Sequence, residues 1–271
     1  VNGRWEGAVV NREGRTRLIV SKQQAPLKVA KPFERADGGL ILYLMDASPG
    51  LFGGDTQRIV CSVKSGAKLY LTNQASAKLH PSPSLQPSRQ MQSFYVAQDA
   101  VFEYMPEPVV PFAGSLFEGE TQVYMTSGAT AMVGEILTPG RVGKGEVFCF
   151  ERYESRFIVY WEQQCVVWDA ILLEPRRESL FVSSSFGSFT HVGTFYALSE
   201  RVANTHVATL QALLNQFSED DVYGGCSALS KNGLVVRILG RSAWRVAQVM
   251  HACHTRMRQL LLGADELLIR K

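Results

Sequence analysis

Three carboxylates stand in stretches that leave them no obvious route to water. In TAMVGEIL (residues 130–137), alternation puts Ala131, Val133, Glu135 and Leu137 on one face of a strand and Met132, Gly134 and Ile136 on the other. Both faces are apolar, so the strand is expected to be covered on both sides, with Glu135 inside. VVWDAILL repeats the situation with Asp169 between Val167 and Ile171, and VFEYM does so more weakly with Glu103 between Val101 and Met105. A buried carboxylate without partners costs several kcal/mol, so each must meet a cation, a hydrogen-bond network or internal water. One outcome is a structural ion pair, with Arg141 a candidate partner for Glu135. The other is a wet interior route lined by oxygen ligands.

Two further stretches carry reactive residue types. In HACH, His251, Cys253 and His254 lie close together on one helix, and residues at i and i+3 can share a metal. Cys253, however, falls on the apolar stripe of that helix, which favours a structural or surface role for the group. The loop DASPGLFGGDTQ (residues 46–57) is rich in glycine, but a phosphate-cradling loop must run into a helix N-terminus. This one runs into TQRIVCSV, which alternates as a strand, and its glycine spacing fits neither GxGxxG nor the P-loop. Nor does Ser48 sit in a GxSxG elbow. Pro49-Gly50 suits a type II turn and Gly53-Gly54 a second bend, folding Leu51 and Phe52 back onto the sheet. Asp55 is the loop residue with chemistry to offer.

The elements that must position these groups are mostly strands. Residues 7–195 read as strand after strand, with alternation in IVCSVKSGAKLYL and further strand-like runs at EVFCFE, RFIVYWE and CVVWDAILL. A faint repeat (strand, small polar turn, alanine, strand) places Ala67, Ala100 and Ala129 about 30 residues apart, as in stacked architectures. A large β-sandwich with similar hairpins is the alternative. After Leu198 the pattern changes. Ala203, Val207, Leu210, Leu214 and Phe217 mark an amphipathic helix, and Asn232-Gly233 a two-residue type I′ hairpin. A second helix runs from an N-cap at Ser242 to Gly263, with Val246, Met250, Cys253, Met257 and Leu260 as its stripe. The expected fold is mainly β: a stacked-strand, β-helix-like body over 1–197, with a helix–hairpin–helix unit over 198–271 packed on it as one domain.

Composition narrows the function classes. The 271 residues are 46% hydrophobic and 20% charged, an ordinary globular balance, and a net charge of +3 is too small to point to nucleic acid. The arginines Arg237, Arg241, Arg245, Arg256 and Arg258 read as a solvated face, with an anionic partner as the alternative. No apolar run approaches the roughly 18 residues of a membrane span, and the N-terminus lacks a signal-peptide layout. Five scattered cysteines without a CxxC pair argue against a disulfide scaffold or zinc ribbon and for a cytoplasmic location with reduced thiols.

The blocks LKVAKPFE, SPGLFGGD, GAKLYLTNQASAK, EYMPEPVVPFAGS and EILTPGRVGKGE resemble, in order, those of the urease accessory protein UreD family, called UreH in some bacteria. The resemblance continues through HVGTFYAL and YGGCSALSKNGLVVRILG, so it spans essentially the whole chain. It implies a non-catalytic protein with a mainly β stack of strands. Such a protein acts with UreF and the GTPase UreG on apo-urease and delivers nickel, holding no tightly bound cofactor. It also implies a passage lined by Asp55, Ser76, Glu135 and Asp169, to which Glu103 is added as the third enclosed carboxylate. Oxygen ligands and water suit brief contacts with nickel, whereas thiolates would hold it too tightly. Two rival classes remain: a carbohydrate-active enzyme pairing Asp55 with Glu135, and a self-sufficient metal binder using His251, Cys253 and His254.

Overall fold

The computed structural model describes residues 1–217, 221–267 and 269. The chain opens with β1 (Asn2–Arg12), β2 (Arg15–Gln24), β3 (Leu27–Val29), β4 (Phe33–Glu34) and β5 (Leu40–Asp46). Then follow β6 (Thr56–Val63), β7 (Lys68–Asn73), β8 (Ala77–Leu79), β9 (Ser88–Val96), β10 (Val101–Tyr104) and β11 (Val109–Pro111). The body ends with β12 (Leu116–Met125), β13 (Thr130–Leu137), β14 (Arg152–Trp161), β15 (Gln164–Leu173) and β16 (His191–Leu198). Helix α1 (Asn204–Phe217), β17 (Val222–Ala228), β18 (Gly233–Gly240) and α2 (Ala243–Leu262) complete it.

Among the described residues the strands form two sheets. The seven-stranded sheet runs β15-β14-β12-β9-β6-β1-β2, and the eleven-stranded sheet has β17-β18-β16-β13-β10-β7-β5-β3 as its main path. Both are parallel at their centre: β1, β6, β9, β12 and β14 stack in one, and β5, β7, β10 and β13 in the other. The chain therefore winds from sheet to sheet, one coil upon the next, as the alanine repeat implied. Ala67, Ala100 and Ala129 are each fully buried at the corner between the sheets. Val101 N–H donates to the Ala67 carbonyl and Thr130 N–H to that of Ala100, so the corners stack in register. Each alanine is preceded by a left-handed residue, Gly66, Asp99 or Gly128, which makes the bend. A side chain larger than methyl has no room on this column.

The inward faces follow the alternation: Ile59, Cys61 and Val63 are buried together, as are Leu69 and Leu71. EVFCFE does not form a strand. Phe148, with φ 53°, and Phe150 are instead buried from a loop that follows a short 3-10 turn at Val142–Lys144. Asp169 also differs from expectation, because β15 is an edge strand whose outer face, including Trp168 and Leu172, lies open.

The two helices cover the outer face of the eleven-stranded sheet. Val246, Val249, Met250, Cys253, Met257 and Leu261 of α2, with Leu210 and Leu214 of α1, close over Met132, Ile136, Phe195, Val236 and Ile238. The Ser242 side chain caps the first turn of α2 by accepting from Arg245 N–H, and Gly263 ends the helix at φ 59°. The stripe ends on Leu261, not Leu260, which is exposed. Ala203 lies outside α1 and is also exposed. The hairpin is not a two-residue turn: Leu229 N–H bonds the Gly233 carbonyl, and Asn232 takes the left-handed position of a three-residue loop. Among the described residues, no helix is long and apolar enough to cross a membrane.

Beneath α2 lies a buried charge cluster. Glu103, fully enclosed, accepts from Arg258 on both oxygens, from Arg35 at 2.9 Å, and meets His254 Nε2 at 2.8 Å. Burial alone would raise the Glu103 carboxyl, but the hydrogen bonds and charges of His254 and Arg258 outweigh it and bring it down to about 2. The cluster ties β10 to α2 and to the segment before β5.

Two outcomes test this packing. Ala100→Leu should destabilise the chain by about 1–3 kcal/mol in a urea titration, since it overfills the alanine column. Glu103→Gln should cost about 3–5 kcal/mol by stranding buried arginine charge. Because the folded carboxyl lies at about 2, below its ordinary 4.5, its contribution is complete above that ordinary value and fades as pH falls toward 2. The acid midpoint of unfolding, followed by circular dichroism, should therefore lose this component in the variant.

Candidate functional site

Register across the strands builds a polar layer inside the body. In the seven-stranded sheet, Gln57, Gln90, Gly119 and Ser155 stand at one level of β6, β9, β12 and β14. The next level carries Gln92, Thr121 and, two strands on, Asp169. In the facing sheet Glu135, Thr194 and Arg237 are in register, and Asn73 lies two residues beyond the aligned Leu71, Tyr104 and Val133, at the level of Glu135. On one side of this seam lies the apolar cluster containing Phe94, Tyr104, Val133 and Phe157; on the other is that of Phe117, Leu137, Tyr153 and Leu173. The seam crosses from β6 to β15, four strand spacings or about 19 Å.

Its hydrogen bonds run in series at one end. Asp46 accepts from Ser48 N–H and Oγ–H, and from Gln57 Nε2 at 2.6 Å. Gln57 Oε1 accepts from Gln90 at 2.9 Å, Gln90 Oε1 from Gln92, and Gln92 Oε1 from Thr121 at 3.4 Å. In the middle, Glu135 Oε1 accepts from Tyr153 Oη at 2.7 Å and Ser155 Oγ at 3.0 Å. At the far end Asp169 Oδ2 accepts from both Tyr196 Oη and Arg237, whose Nη1 also donates to Thr194 at 2.8 Å. Burial, then the nearby charge of Glu135, pushes the Tyr153 phenol well up, so it stays a donor. Tyr196 is likewise raised by burial and, against the opposing pull of Arg237, by Asp169.

Three adjoining cavities follow the seam. The first, about 150 Å³, is bordered by Asp46, Ser48, Ser76, Gln57 and Gln90. The second, about 50 Å³, shares Asn73 and Gln90 with it and reaches Glu135, Tyr153 and Ser155. The third, about 10 Å³, shares Glu135 and Ser155 and ends at Asp169 and Arg237. The Asn73 Oδ1 atom, buried at the wall common to the first two, has no hydrogen-bond partner.

Ser76, Glu135 and Asp169 are thus brought onto one line. Asp55 and Glu103 are not. Asp55 closes its own loop by accepting from Phe52 N–H and borders none of the three cavities, so it forms no acid pair with Glu135. Glu103 lies on the opposite face of its sheet, under α2. Glu135 does not pair with Arg141, which binds Glu146. Its described partners are the two neutral hydroxyls. HACH is split three ways: His251 meets Glu266 at the surface, Cys253 is buried with its thiol pushed up to about 12 by burial, and His254 faces Glu103. No three His, Cys, Asp or Glu side chains converge in metal-holding geometry among the described residues. In the opening loop, Leu51 N–H bonds the Lys78 carbonyl rather than closing a type II turn. Gly50 takes φ 141° with that carbonyl 2.4 Å from where a Cβ would stand.

Sequence reasoning missed Asp46, Arg237 and the three glutamines. A signal existed: Gln57 is in phase with Ile59 and Cys61, and Gln90 and Gln92 with Phe94, so each is a polar residue on an inward position. An outward stack of Tyr95, Tyr124 and Tyr160 also went unforeseen, but it lies on the face opposite to the acids.

Comparison with known proteins matches nearly the whole chain. Residues 2–271 match the family described as UreD urease accessory protein. The urease accessory protein UreD of Acetivibrio thermocellus is 34% identical over 239 residues, covering 88% of this chain and 90% of that protein. The UreD proteins of Lysinibacillus sphaericus and Halalkalibacterium halodurans are each 29% identical, over 96% and 98% of this chain and 96% and 97% of their own lengths. With a match of that extent, the chain belongs to the UreD family of urease accessory proteins.

Proposed function

We propose that this chain is a non-catalytic urease maturation factor that conducts nickel through the polar seam, in a complex with UreF and UreG docked on apo-urease. The observation that carries the reading is the line of three cavities, with carboxylates at both ends and in the middle, inside an otherwise apolar body. Asp46 and Ser76 border the wider end, Glu135 stands midway, and Asp169 closes the narrow end. Between them the walls are mostly amides and hydroxyls, with Glu107 and Glu120 also bordering the middle cavity, the latter paired with Arg156 at 3.5 Å. Such walls exchange a hydrated divalent cation readily and hold it weakly, which suits a cargo rather than a resident cofactor. Tyr223, Trp244 and Leu260, exposed on the C-terminal unit, suit an apolar contact with UreF.

Glu135→Gln keeps an acceptor for Tyr153 and Ser155 but removes the charge. Asp169→Asn leaves Arg237 half in solvent, where it can hydrate. Both variants should stay folded and co-purify with UreF, while urease activated through them carries less nickel, by roughly tenfold or more for loss of an interior charge. Nickel-replete, fully active urease from both would sink the passage. Aggregated protein that no longer binds UreF would instead assign these residues to the fold alone. Separately, Trp244→Asp should abolish co-purification with UreF; unchanged recovery would move that interface elsewhere.

A further inference from the structure

We propose that Arg237 is the gate of the narrow end of the seam, and that Gly225 is the space into which it opens. This rests on the reading of the seam as a nickel passage. Arg237 reaches from β18 of one sheet to Asp169 on β15, the edge strand of the other, and so spans the open side of the body. One guanidinium nitrogen is fixed on Thr194 and another on Asp169 Oδ2, the same oxygen that receives the Tyr196 hydroxyl. That oxygen is already served by a cation and a phenol. The cavity behind it, about 10 Å³, is of the order of one water.

Glu135, one step inward, is served by neutral hydroxyls only. A divalent cation at Glu135 therefore faces an attractive site behind a like charge. It passes to Asp169 readily only when the guanidinium leaves, because the two cations repel each other at a single carboxylate whose charge the guanidinium already neutralises.

The fold supplies the room for that movement. The Arg237 side chain is 42% exposed. Its register partner on the edge strand β17 is Gly225, whose missing side chain leaves nothing within 4 Å of the Cβ position. Paired residues on neighbouring strands point to the same side of the sheet, so this gap lies beside Arg237. The long side chain can lie across the bare backbone of Gly225 and turn its charge outward, to water or to an acidic group of a docked protein. The gate is thus opened by whatever offers the guanidinium a better partner than Asp169.

The test uses the purified full chain titrated with a nickel salt by calorimetry, followed by nickel transfer to apo-urease in the presence of UreF and UreG. Arg237→Gln should raise nickel affinity by roughly tenfold, and Asp169→Asn added to it should return the affinity to the original value. Arg237→Lys, which keeps the charge, should bind nickel as the unaltered chain does. Gly225→Val, at an extended edge position, should reduce transfer by filling the space, and Arg237→Gln in the same chain should restore it. If Arg237→Gln leaves affinity unchanged while Glu135→Gln lowers it, the gate is wrong and the passage stands. Should nickel binding be indifferent to Glu135, Asp169 and Arg237 alike, the passage falls and the gate with it. Were Arg237→Gln to misfold, full transfer by Gly225→Val would by itself overturn the proposal.

Discussion

In a stack of parallel coils, each residue stands at the same level as its counterparts above and below, about 4.8 Å away. Everything else in this molecule depends on that alignment. An isolated polar side chain at an inward position would face apolar neighbours on both adjoining strands and lose its hydrogen bonds to water. Placed in register with others, it finds a partner one strand away. Gln57 and Gln90 show this directly: Gln90 donates across one strand spacing to Gln57, which donates on to Asp46, while Gln92, two residues along the same strand, donates to Gln90. The interior is consequently layered. Two apolar clusters lie on either side of the polar levels, and the same register that stacks Ala67, Ala100 and Ala129 at a corner aligns Gln57 with Gln90 in the middle.

The body encloses carboxylates in two different ways, one saturated by cations and one not. Glu103 is saturated, with two guanidinium groups and an imidazole on its two oxygens. Its desolvation is offset by full charge pairing, and nothing further can bind there without dismantling the contact between β10 and α2. Glu135 has two neutral donors, both on the same oxygen, and a cavity beside it. Its charge is stabilised by hydrogen bonds but not cancelled. A carboxylate of the first kind fastens a helix to a sheet, and one of the second kind leaves an attractive potential for a cation.

Most of the fold was legible in the sequence because periodicity reports the environment of a strand. The alanine spacing predicted the coil, the cap at Ser242 and the stop at Gly263 bounded α2, and Glu135 announced itself by sitting among apolar residues on both faces. What sequence alone could not give was which face of a given strand meets which layer. Glu103 and Glu135 look alike in the sequence, yet one points under a helix and the other into the seam, because β10 and β13 present opposite parities at those positions. Edge status is hidden for the same reason. The apolar run around Asp169 reads as a twice-buried strand, although Trp168 and Leu172 face outward from β15. Pairings between distant segments, such as Asp169 with Arg237, need the coil to be closed before they can be seen. The HACH triplet fails differently: adjacency along a helix turn says nothing of direction, and its three side chains diverge to solvent, core and Glu103.

The distribution of charge along the seam bears on what a passage of this kind requires. A route lined continuously by carboxylates would trap a divalent cation at each step, while a wholly neutral one would exclude it from the interior. Here the carboxylates are spaced and partly neutralised: Asp46 at the wider end, Glu135, Glu107 and the Arg156-paired Glu120 around the middle, and Asp169 at the narrow end, with amide and hydroxyl oxygens between. Even Asp46 is partly occupied, holding Ser48 and Gln57, and Asn73 adds an unused carbonyl oxygen between the first carboxylate and the second. Each end differs in what opposes the cation. At the wider end the bonds on Asp46 are neutral and exchangeable with water, and Lys78 on the cavity rim is exposed to solvent. At the narrow end the opposition is a guanidinium, which water cannot neutralise. The two ends of the seam therefore differ: a cation in the proposed passage would meet exchangeable neutral bonds at Asp46 and a fixed like charge at Asp169.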